Sequence, residues 1–460
     1  MAAIGDDEPL DFEKEDLLVT PSRPAAKRRK VIGLDDLLSD YYTEQVEKKP
    51  KGSALSKGCN SDDEDDETQK LSNFGMGGRK DVEEISNEDE IPLWGQTIFG
   101  NQKPPPAFLG PVDCEFLQSL LNNELNTILE LDSKQGESFL EGLLINGWLS
   151  KLSMICGFVE DSVASWTFHK LLYSSHEELQ VSSCDFWCGV LLSKNEENQP
   201  LVRLGWFPTY SLLNGALQIY GYISDTSEDS SSISNTLHTG CEGPPQNIIS
   251  WLRVVSACCK IRSIRAIFSS SEAEDFLIVI FQLLLDRQLQ GLSFILHECL
   301  QSVIGFFSES EWDESSKKVS CRAAYRIHKD FNCVRIVESI SGISSRSKNL
   351  RSQVALQILL VSCNRKVTDG EGVIKFITSI NVKDKKCDIF KLYLYLVLAE
   401  NWLLSYQPVD EDDVILRLWY KYLRVCSSQI TSSDWRSYAS KVRNKASYLL
   451  QNSVQRGNIA

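Results

Sequence analysis

The sequence predicts an all-α protein: an irregular, HEAT-like α-solenoid of stacked helix pairs, preceded by a disordered N-terminal arm. Thirteen of the fourteen prolines lie at or before Pro245. Because proline costs about 3 kcal/mol inside a helix, the chain beyond Pro245 can form long helices. Apolar residues recur at spacings of three and four, as they do on one face of a helix. Alternating runs of β-branched residues bounded by turn dipeptides are scarce, so we expect little strand.

The pattern predicts about twelve helices of ordinary length, joined by short polar loops such as Ser341–Asn349. The first helix opens at Asp113, whose side chain fits an N-cap. Its apolar face then consists of Phe116, Leu117, Leu120, Leu121, Leu125 and Ile128. Ser308 and Glu311 have the spacing of a capping box, which predicts another helix start.

The end of the chain predicts three more helices. They run from about Asp384 through Trp402, from about Glu411 to Cys426, and from about Ser433 to Asn452. No repeat of fixed length is present, so irregular helix pairs fit better than a consensus repeat array.

Charge divides the chain into an arm and a body. Residues 1–90 carry 24 acidic and 13 basic side chains, a net of −11 out of the −15 of the whole chain. Such asymmetry indicates an acidic tail attached to a nearly neutral folded part. We therefore predict four parts: a disordered acidic arm over 1–90, an N-terminal helical block over 91–223, a disordered loop or hinge over 224–245, and a C-terminal helical block with a basic end over 246–460.

The arm contains a compact cluster of four cations, Lys27, Arg28, Arg29 and Lys30, among neighbours of opposite charge. Four consecutive cations in a flexible chain fit the acidic groove of an import receptor. The cluster therefore predicts a nuclear import signal and a nuclear location. A solvated charge run is the alternative interpretation.

Three hydroxyl side chains in the arm are candidate phosphorylation sites. Thr20 precedes a proline, as proline-directed kinases prefer, and a phosphate there would add negative charge beside the import signal. Ser61 and Ser86 each lead an acidic run, the preference of acid-directed kinases. The acidic runs alternatively serve only as solubilising spacers.

The arm also carries a short apolar segment with helical spacing. A free segment of this length does not hold a helix in water, but it can fold into the groove of a partner. The candidate docking residues are Leu34, Leu37, Leu38 and Tyr41.

The C-terminal end is basic. From Val414 to Ala460 there are eight basic residues and one acidic residue, Asp434. We expect the interleaved aromatic residues to form the core of the last helix pair. The cations either contact DNA or an acidic protein, since such a surface neutralises phosphates, or simply form the wet face of the helices. The candidate contacts are Arg417, Lys421, Arg424, Arg436, Lys441, Arg443 and Lys445.

No pattern in the sequence points to catalysis. The pairs Cys184 and Cys188, and Cys258 and Cys259, lack a second pair at zinc spacing, and no HExxH, GxSxG, Walker A or GxGxxG motif is present. We expect no secretory leader at the start of the chain, and we therefore expect the fourteen cysteines to be reduced and to act as small buried hydrophobes. No apolar run approaches the roughly 18–20 residues of a membrane span. We expect no enzyme activity, cofactor, metal, small-molecule substrate or membrane contact.

The segment from Ile91 to about Tyr222 combines a proline-rich opening, an aromatic helix, a Phe-Trp pair, and a Trp-x-Pro turn that opens a helix ending in glycine. The residues of these motifs are Ile91–Trp94, Pro104–Pro106, Trp166–Leu172, Phe186, Trp187, Gly205–Pro208, Leu212, Leu213, Leu217, Tyr220 and Gly221. In these motifs the segment resembles the CANIN domain, which defines the non-Smc element six family.

The resemblance implies a non-catalytic scaffold subunit that pairs with a helical partner, the element-five protein. That pair would recruit or load the Smc five–six complex at DNA lesions and stalled forks, and modulate its ATPase. Two alternatives remain open at this point. One is a helical-repeat adaptor in nuclear transport or RNA processing, and the other is direct DNA binding through the basic C-terminal helices.

Overall fold

The computed structural model describes residues 94–107, 133–195, 199–223, 244–327, 330–363, 367–406 and 414–457. All of them belong to one unit of the chain, Arg79–Ala460. They are mostly helical, with many helix–helix contacts, which confirms the predicted all-α fold. The predicted import signal, phosphorylation sites, docking segment and first helix at Asp113 lie outside the described residues.

The described part of the N-terminal block contains five helices and a short pair of parallel strands. The helices are α1 (Ser133–Ile145), α2 (Trp148–Cys156), α3 (Asp161–Tyr173), α4 (Glu177–Leu192) and α5 (Tyr210–Ile219), and the strands are β1 (Phe158–Val159) and β2 (Arg203–Leu204). Gly147 separates α1 from α2 with a φ of 71°, a left-handed conformation that glycine adopts without strain.

The described part of the C-terminal block contains ten α-helices and a short 3₁₀ helix over Arg287–Leu292. The α-helices are α6 (Ile248–Lys260), α7 (Ser270–Leu283), α8 (Ser293–Phe306), α9 (Glu309–Ile327), α10 (Asn332–Ser339), α11 (Ser345–Ser362), α12 (Gly370–Thr378), α13 (Ile389–Leu403), α14 (Val414–Gln429) and α15 (Ala439–Gly457).

Helices stack on their next-but-one neighbours. Helix α4 packs on α6 and α6 on α8, while α7, α9, α11, α13 and α15 form a longer series in which each helix packs on the next. This arrangement buries one continuous apolar core, as in solenoids of stacked helix pairs. Within the described ranges, no single helix is long and apolar enough to cross a membrane. The helical segments Ser270–Leu283 and Arg287–Phe306, which are bent relative to each other, together have the length and apolar composition of a membrane span.

Hydroxyl caps define several helix starts. At α9 the predicted capping box is confirmed: the backbone N–H of Ser308 donates to Glu311 Oε2 at 2.8 Å, and the N–H of Glu311 donates to Ser308 Oγ at 3.4 Å. The predicted loop Ser341–Asn349 is too long, because Ser344 and Ser347 cap each other reciprocally and α11 begins at Ser345.

An extended segment, residues 94–107, runs across the body, and we call it the strap. Near its start, Gln96 N–H donates to the carbonyl of Leu285 at 3.0 Å. Further along, Lys103 N–H donates to the carbonyl of Ile219 at 2.8 Å. The strap therefore binds described residues of both predicted blocks.

The two predicted blocks also pack directly on each other. The indole N–H of Trp251, on α6, donates to the carbonyl of Leu213, on α5, at 2.9 Å. The amide of Gln180, on α4, donates to Ser250 Oγ at 3.3 Å. Described residues on the two sides of 224–243 thus share one core. The division into two blocks with a hinge between them stays a prediction.

Candidate partner and nucleic-acid interfaces

The aromatic residues that carry the family resemblance meet in the core. The ring of Phe168 lies edge-on to Trp187 and to Trp206, with 5.4 Å between centroids in each case. Trp187 and Trp206 are 5.7 Å apart in the same kind of arrangement. Edge-to-face packing at these separations is the favoured geometry of aromatic pairs. Three segments that are distant in sequence therefore form one aromatic cluster.

The Trp-x-Pro turn does open a helix, but the cap is a threonine. Thr209 precedes α5, and its Oγ1 accepts the N–H of Leu212 at 3.4 Å. Pro208 lies just before that cap and is buried, while Trp206 is only half-buried. The motif thus fixes how the chain enters α5, and its role in the described structure is packing.

An exposed apolar face lies on α2 and β1, which precede the residues of the aromatic cluster in the sequence. Trp148 is 54% exposed, Ile155 82% and Phe158 58%. Trp148 and Ile155 are seven residues apart and so share one face of α2. Clusters of large exposed apolar side chains mark interaction surfaces in soluble proteins. We call Trp148, Ile155, Phe158 and Leu201 the α2 face.

The strand pair brings Leu201 to the α2 face. Phe158 is paired with Arg203, and the N–H of Arg203 donates to the carbonyl of Gly157 at 2.9 Å. Leu201 precedes this pairing by two residues, and its side chain is 48% exposed. The backbone of a segment more than forty residues away in sequence therefore lies beside Gly157, at the end of α2. Sequence reasoning missed this face, for which the available signal was the seven-residue spacing of Trp148 and Ile155.

Two of the seven candidate cations are engaged inside the protein. Arg436 pairs with Asp434 at 2.6 Å and donates to the carbonyls of Val382 and Asp384, each at 2.8 Å. Lys445 pairs with Glu400 at 2.6 Å, and both side chains are about four-fifths buried. These two residues hold helices and loops together, and we remove them from the candidate interface.

The remaining five cations fall into two groups. Arg417, Lys421 and Arg424 are exposed and, at spacings of four and three, form a stripe along α14. Lys441 and Arg443 are half-buried on α15, and the Lys441 ammonium lies 4.6 Å from the ring centroid of Tyr438. Contact between the stripe and DNA or an acidic protein stays a prediction.

The expectation that the C-terminal aromatics form a core is right for some of them and wrong for others. Trp419 and Tyr422 are buried, and the Tyr422 hydroxyl donates to the carbonyl of Ile380 at 3.0 Å. Burial raises the pKa of Tyr422 well above its usual range. By contrast, Trp435 is 92% exposed and Tyr448 53%. Trp435 lies on the loop between α14 and α15, whereas Tyr448 lies on an exposed side of α15.

The cysteines lie mainly in the helix packing. The Cys184 thiol donates to the carbonyl of Ser250, and the Cys188 thiol to that of Arg253, each at 3.9 Å. Burial raises the pKa of Cys258 well above its ordinary value, which leaves it a poor nucleophile. Cys156 is an exception and is exposed on α2. Among the described residues, no group of three or more His, Cys, Asp or Glu side chains is placed to hold a metal ion.

No known protein-family model matches the chain, and no curated protein matches it. The resemblance to the CANIN family therefore rests on the motif residues.

Proposed function

We propose that the protein is a non-catalytic nuclear scaffold subunit, similar to the element-six subunit of the Smc five–six complex. In this proposal its helical body binds a helical partner of the element-five kind, and the pair recruits or regulates the complex in DNA repair. The observation that carries the proposal is the α2 face. This face lies within the segment that resembles the family domain.

The composition of the α2 face suits a protein partner. Tryptophan and other aromatic residues are enriched among the side chains that dominate binding energy, and Trp148 and Phe158 would supply two such anchors. Burial of apolar side chains stabilises a complex by about 25 cal/mol per Å² before the costs of association. Large apolar side chains on a short helix and strand thus form a surface that a second protein would cover.

The fitting occupant is an amphipathic helix with an acidic residue at the edge of its apolar face. Lys151 is exposed on α2, and its ammonium lies 4.7 Å from the centroid of the Trp148 ring. A carboxylate on the partner would pair with this lysine while apolar residues at helical spacing cover Trp148 and Ile155. Recognition by helix spacing agrees with a partner that is itself helical.

Affinity purification followed by mass spectrometry tests the proposal. The full chain carrying Ile155→Asp and Phe158→Asp is compared with the unchanged protein, both taken from cells with damaged DNA. The matched control is Phe294→Asp, since Phe294 is 79% exposed on α8, away from the α2 face in sequence. We expect the unchanged protein and the control to recover Smc five–six subunits, and the double variant to lose them. Failure of the unchanged protein to recover any such subunit contradicts the proposal.

The nuclear part of the proposal has its own test. Replacement of Lys27, Arg28, Arg29 and Lys30 by alanine removes the cations that would occupy an import receptor. We expect fluorescence microscopy to show the tagged variant outside the nucleus and the unchanged protein inside it. Equal distribution of the two proteins would contradict the import signal.

A further inference from the structure

The most exposed large apolar side chain of the described residues is a tryptophan held by fixed neighbours. Trp435 is 92% exposed on the loop between α14 and α15. The next residue, Arg436, bonds to the carboxylate of Asp434 and to the carbonyls of Val382 and Asp384. The residues on both sides of Trp435 are thus tied down by one guanidinium. The indole is presented to solvent from a defined position.

The loop after Trp435 is held in an uncommon conformation. Tyr438 has a φ of 65°, a left-handed conformation that residues other than glycine seldom adopt. Its ring packs at 4.9 Å from Phe390 and 5.4 Å from Tyr393, centroid to centroid, and these contacts hold the backbone in place. Strained residues of this kind cluster at functional sites, because the surrounding structure must compensate for the strain.

A second loop, which carries three lysines, is bonded to this one. The bonds of Arg436 to the carbonyls of Val382 and Asp384 place the backbone of Lys383 between its two contacts. Lys383, Lys385 and Lys386 are all exposed on the same short loop, which joins α12 to α13. Lys386 also lines a cavity of about 220 Å³ together with Lys391.

The carboxylates of this region are already engaged. Asp434 is paired with Arg436 at 2.6 Å. Asp384 accepts the backbone N–H of Lys386, and Asp388 accepts that of Lys391, each at 2.9 Å. Asp384 and Asp388 keep their negative charge, because backbone N–H donors are neutral. Four lysines against these two carboxylates leave residues 383–391 with a net charge of +2.

We infer that Trp435, Lys383, Lys385 and Lys386 form a docking site for single-stranded nucleic acid. A base of the strand stacks on the exposed indole, and the phosphates beside it lie against the three lysines. Aromatic stacking combined with a basic surface is the general basis of binding to single strands, and it tolerates any base because every base has a flat face. The site shares no residue with the α14 stripe, and the inference goes beyond the scaffold function and does not depend on it.

A single strand fits these observations better than a duplex. Bases in a duplex are stacked on each other and offer no free face to an indole. A surface that reads only phosphates gains nothing from an exposed tryptophan, whereas unpaired bases stack on aromatic side chains. The exposed indole of Trp435 therefore favours binding of a single strand over binding of a duplex.

Fluorescence anisotropy of the full chain with a labelled oligothymidylate of about 16 nucleotides tests the inference. We expect Trp435→Ala to weaken binding about tenfold or more, because loss of one stacked base costs that much, and Trp435→Phe to retain most of the affinity. Changing Lys383, Lys385 and Lys386 to glutamate should weaken binding and reduce its salt dependence. The matched controls are Phe294→Ala and the pair Lys194→Glu and Lys317→Glu, two exposed lysines just after α4 and on α9, and both should bind as the unchanged protein does.

Four results would overturn the inference. They are a change of less than about twofold on Trp435→Ala, an equal loss from the control pair Lys194→Glu and Lys317→Glu, duplex DNA that binds as tightly as the single strand, and tighter binding of an acidic peptide or of vesicles containing phosphatidylserine. A melting temperature equal to that of the unchanged protein shows for each variant that a loss of binding is not a loss of folding.

Discussion

The guanidinium of Arg335 lies over the indole ring of Trp94, with 4.5 Å between Cζ and the ring centroid. Arg287 approaches the same ring at 5.2 Å. The next residue, Gly95, donates its N–H to Asn332 Oδ1 at 2.6 Å. Arg335 is half-buried and Arg287 is exposed. Cation–π contacts stabilise the position of the indole ring, so Trp94 anchors the start of the strap to the C-terminal block.

Trp94→Ala removes this anchor, and we expect it to lower the free energy of unfolding by about 2 kcal/mol. Urea denaturation followed by circular dichroism measures the change. Trp435→Ala is the matched control, since its 92% exposed ring should change stability by no more than about 0.5 kcal/mol. Equal losses from the two substitutions would show that the strap contact is not stabilising.

Gly221→Ala should be strongly destabilising. Gly221 has a φ of 83°, and a β-carbon there would lie 2.7 Å from the carbonyl oxygens of both Gly100 and Asn101. Backbone atoms of the strap must shift to admit it, so we expect a loss of about 2 kcal/mol or more. Gly215→Ala, inside α5 with open space around it, should instead raise stability by about 0.5–1 kcal/mol. Thermal denaturation measures both changes: the melting temperature should fall for Gly221→Ala and rise for Gly215→Ala.

Tyr220→Phe tests one buried hydrogen bond. The Tyr220 hydroxyl donates to the carbonyl of Leu172 at 2.7 Å, and burial raises the pKa of this tyrosine well above its usual value. Removing the hydroxyl leaves a buried carbonyl without that donor, which should cost about 1–2 kcal/mol in urea denaturation. The control Tyr448→Phe, on an exposed ring, should leave stability unchanged. If Tyr220→Phe left the free energy of unfolding unchanged, another donor would have replaced the hydroxyl at the carbonyl of Leu172.

Glu311 should contribute stability that depends on pH. The Arg262 guanidinium, at 2.7 Å, and the hydroxyls of Ser308 and Ser270 hold the pKa of this carboxyl well below its usual range. Because the folded-state pKa is depressed, the stabilisation is present above the unfolded pKa of about 4.3 and is lost as the pH falls toward the folded value.

The corresponding variant is Glu311→Gln, measured by urea denaturation at neutral and at acidic pH. We expect it to be less stable than the unchanged protein by about 1 kcal/mol at neutral pH, and the difference to narrow in acid. Glu314→Gln, whose carboxylate pairs with Lys318 on the exposed side of the same helix, should change little at either pH. A difference that grows in acid would contradict the assignment.

The fold class was predictable because local signals agree with it. The spacing of Ser308 and Glu311 predicts the start of a helix, and the two residues form the expected capping box. The start of α11 was misplaced because Ser347 replaces the usual glutamate of a capping box. The strap was not predicted, since a chain that bonds to carbonyls of Leu285 and Ile219 has no periodicity of its own.

The candidate sites were less predictable than the fold. The sequence shows that cations are concentrated at the C-terminal end, but composition did not show that Arg436 and Lys445 pair with Asp434 and Glu400. Such pairs depend on which loops and helices meet in space. The exposure of Trp435 likewise follows from a loop boundary, which periodicity locates poorly.

The strap also sets an order of events during synthesis. Gly95 leaves the ribosome 237 residues before its partner Asn332. At about 5–20 residues per second, the strap waits on the order of 10–50 s for that partner. Contacts of such long sequence separation form late, because the intervening loop must close first. Completion of the core is therefore a late step, and until then the strap is available to chaperones.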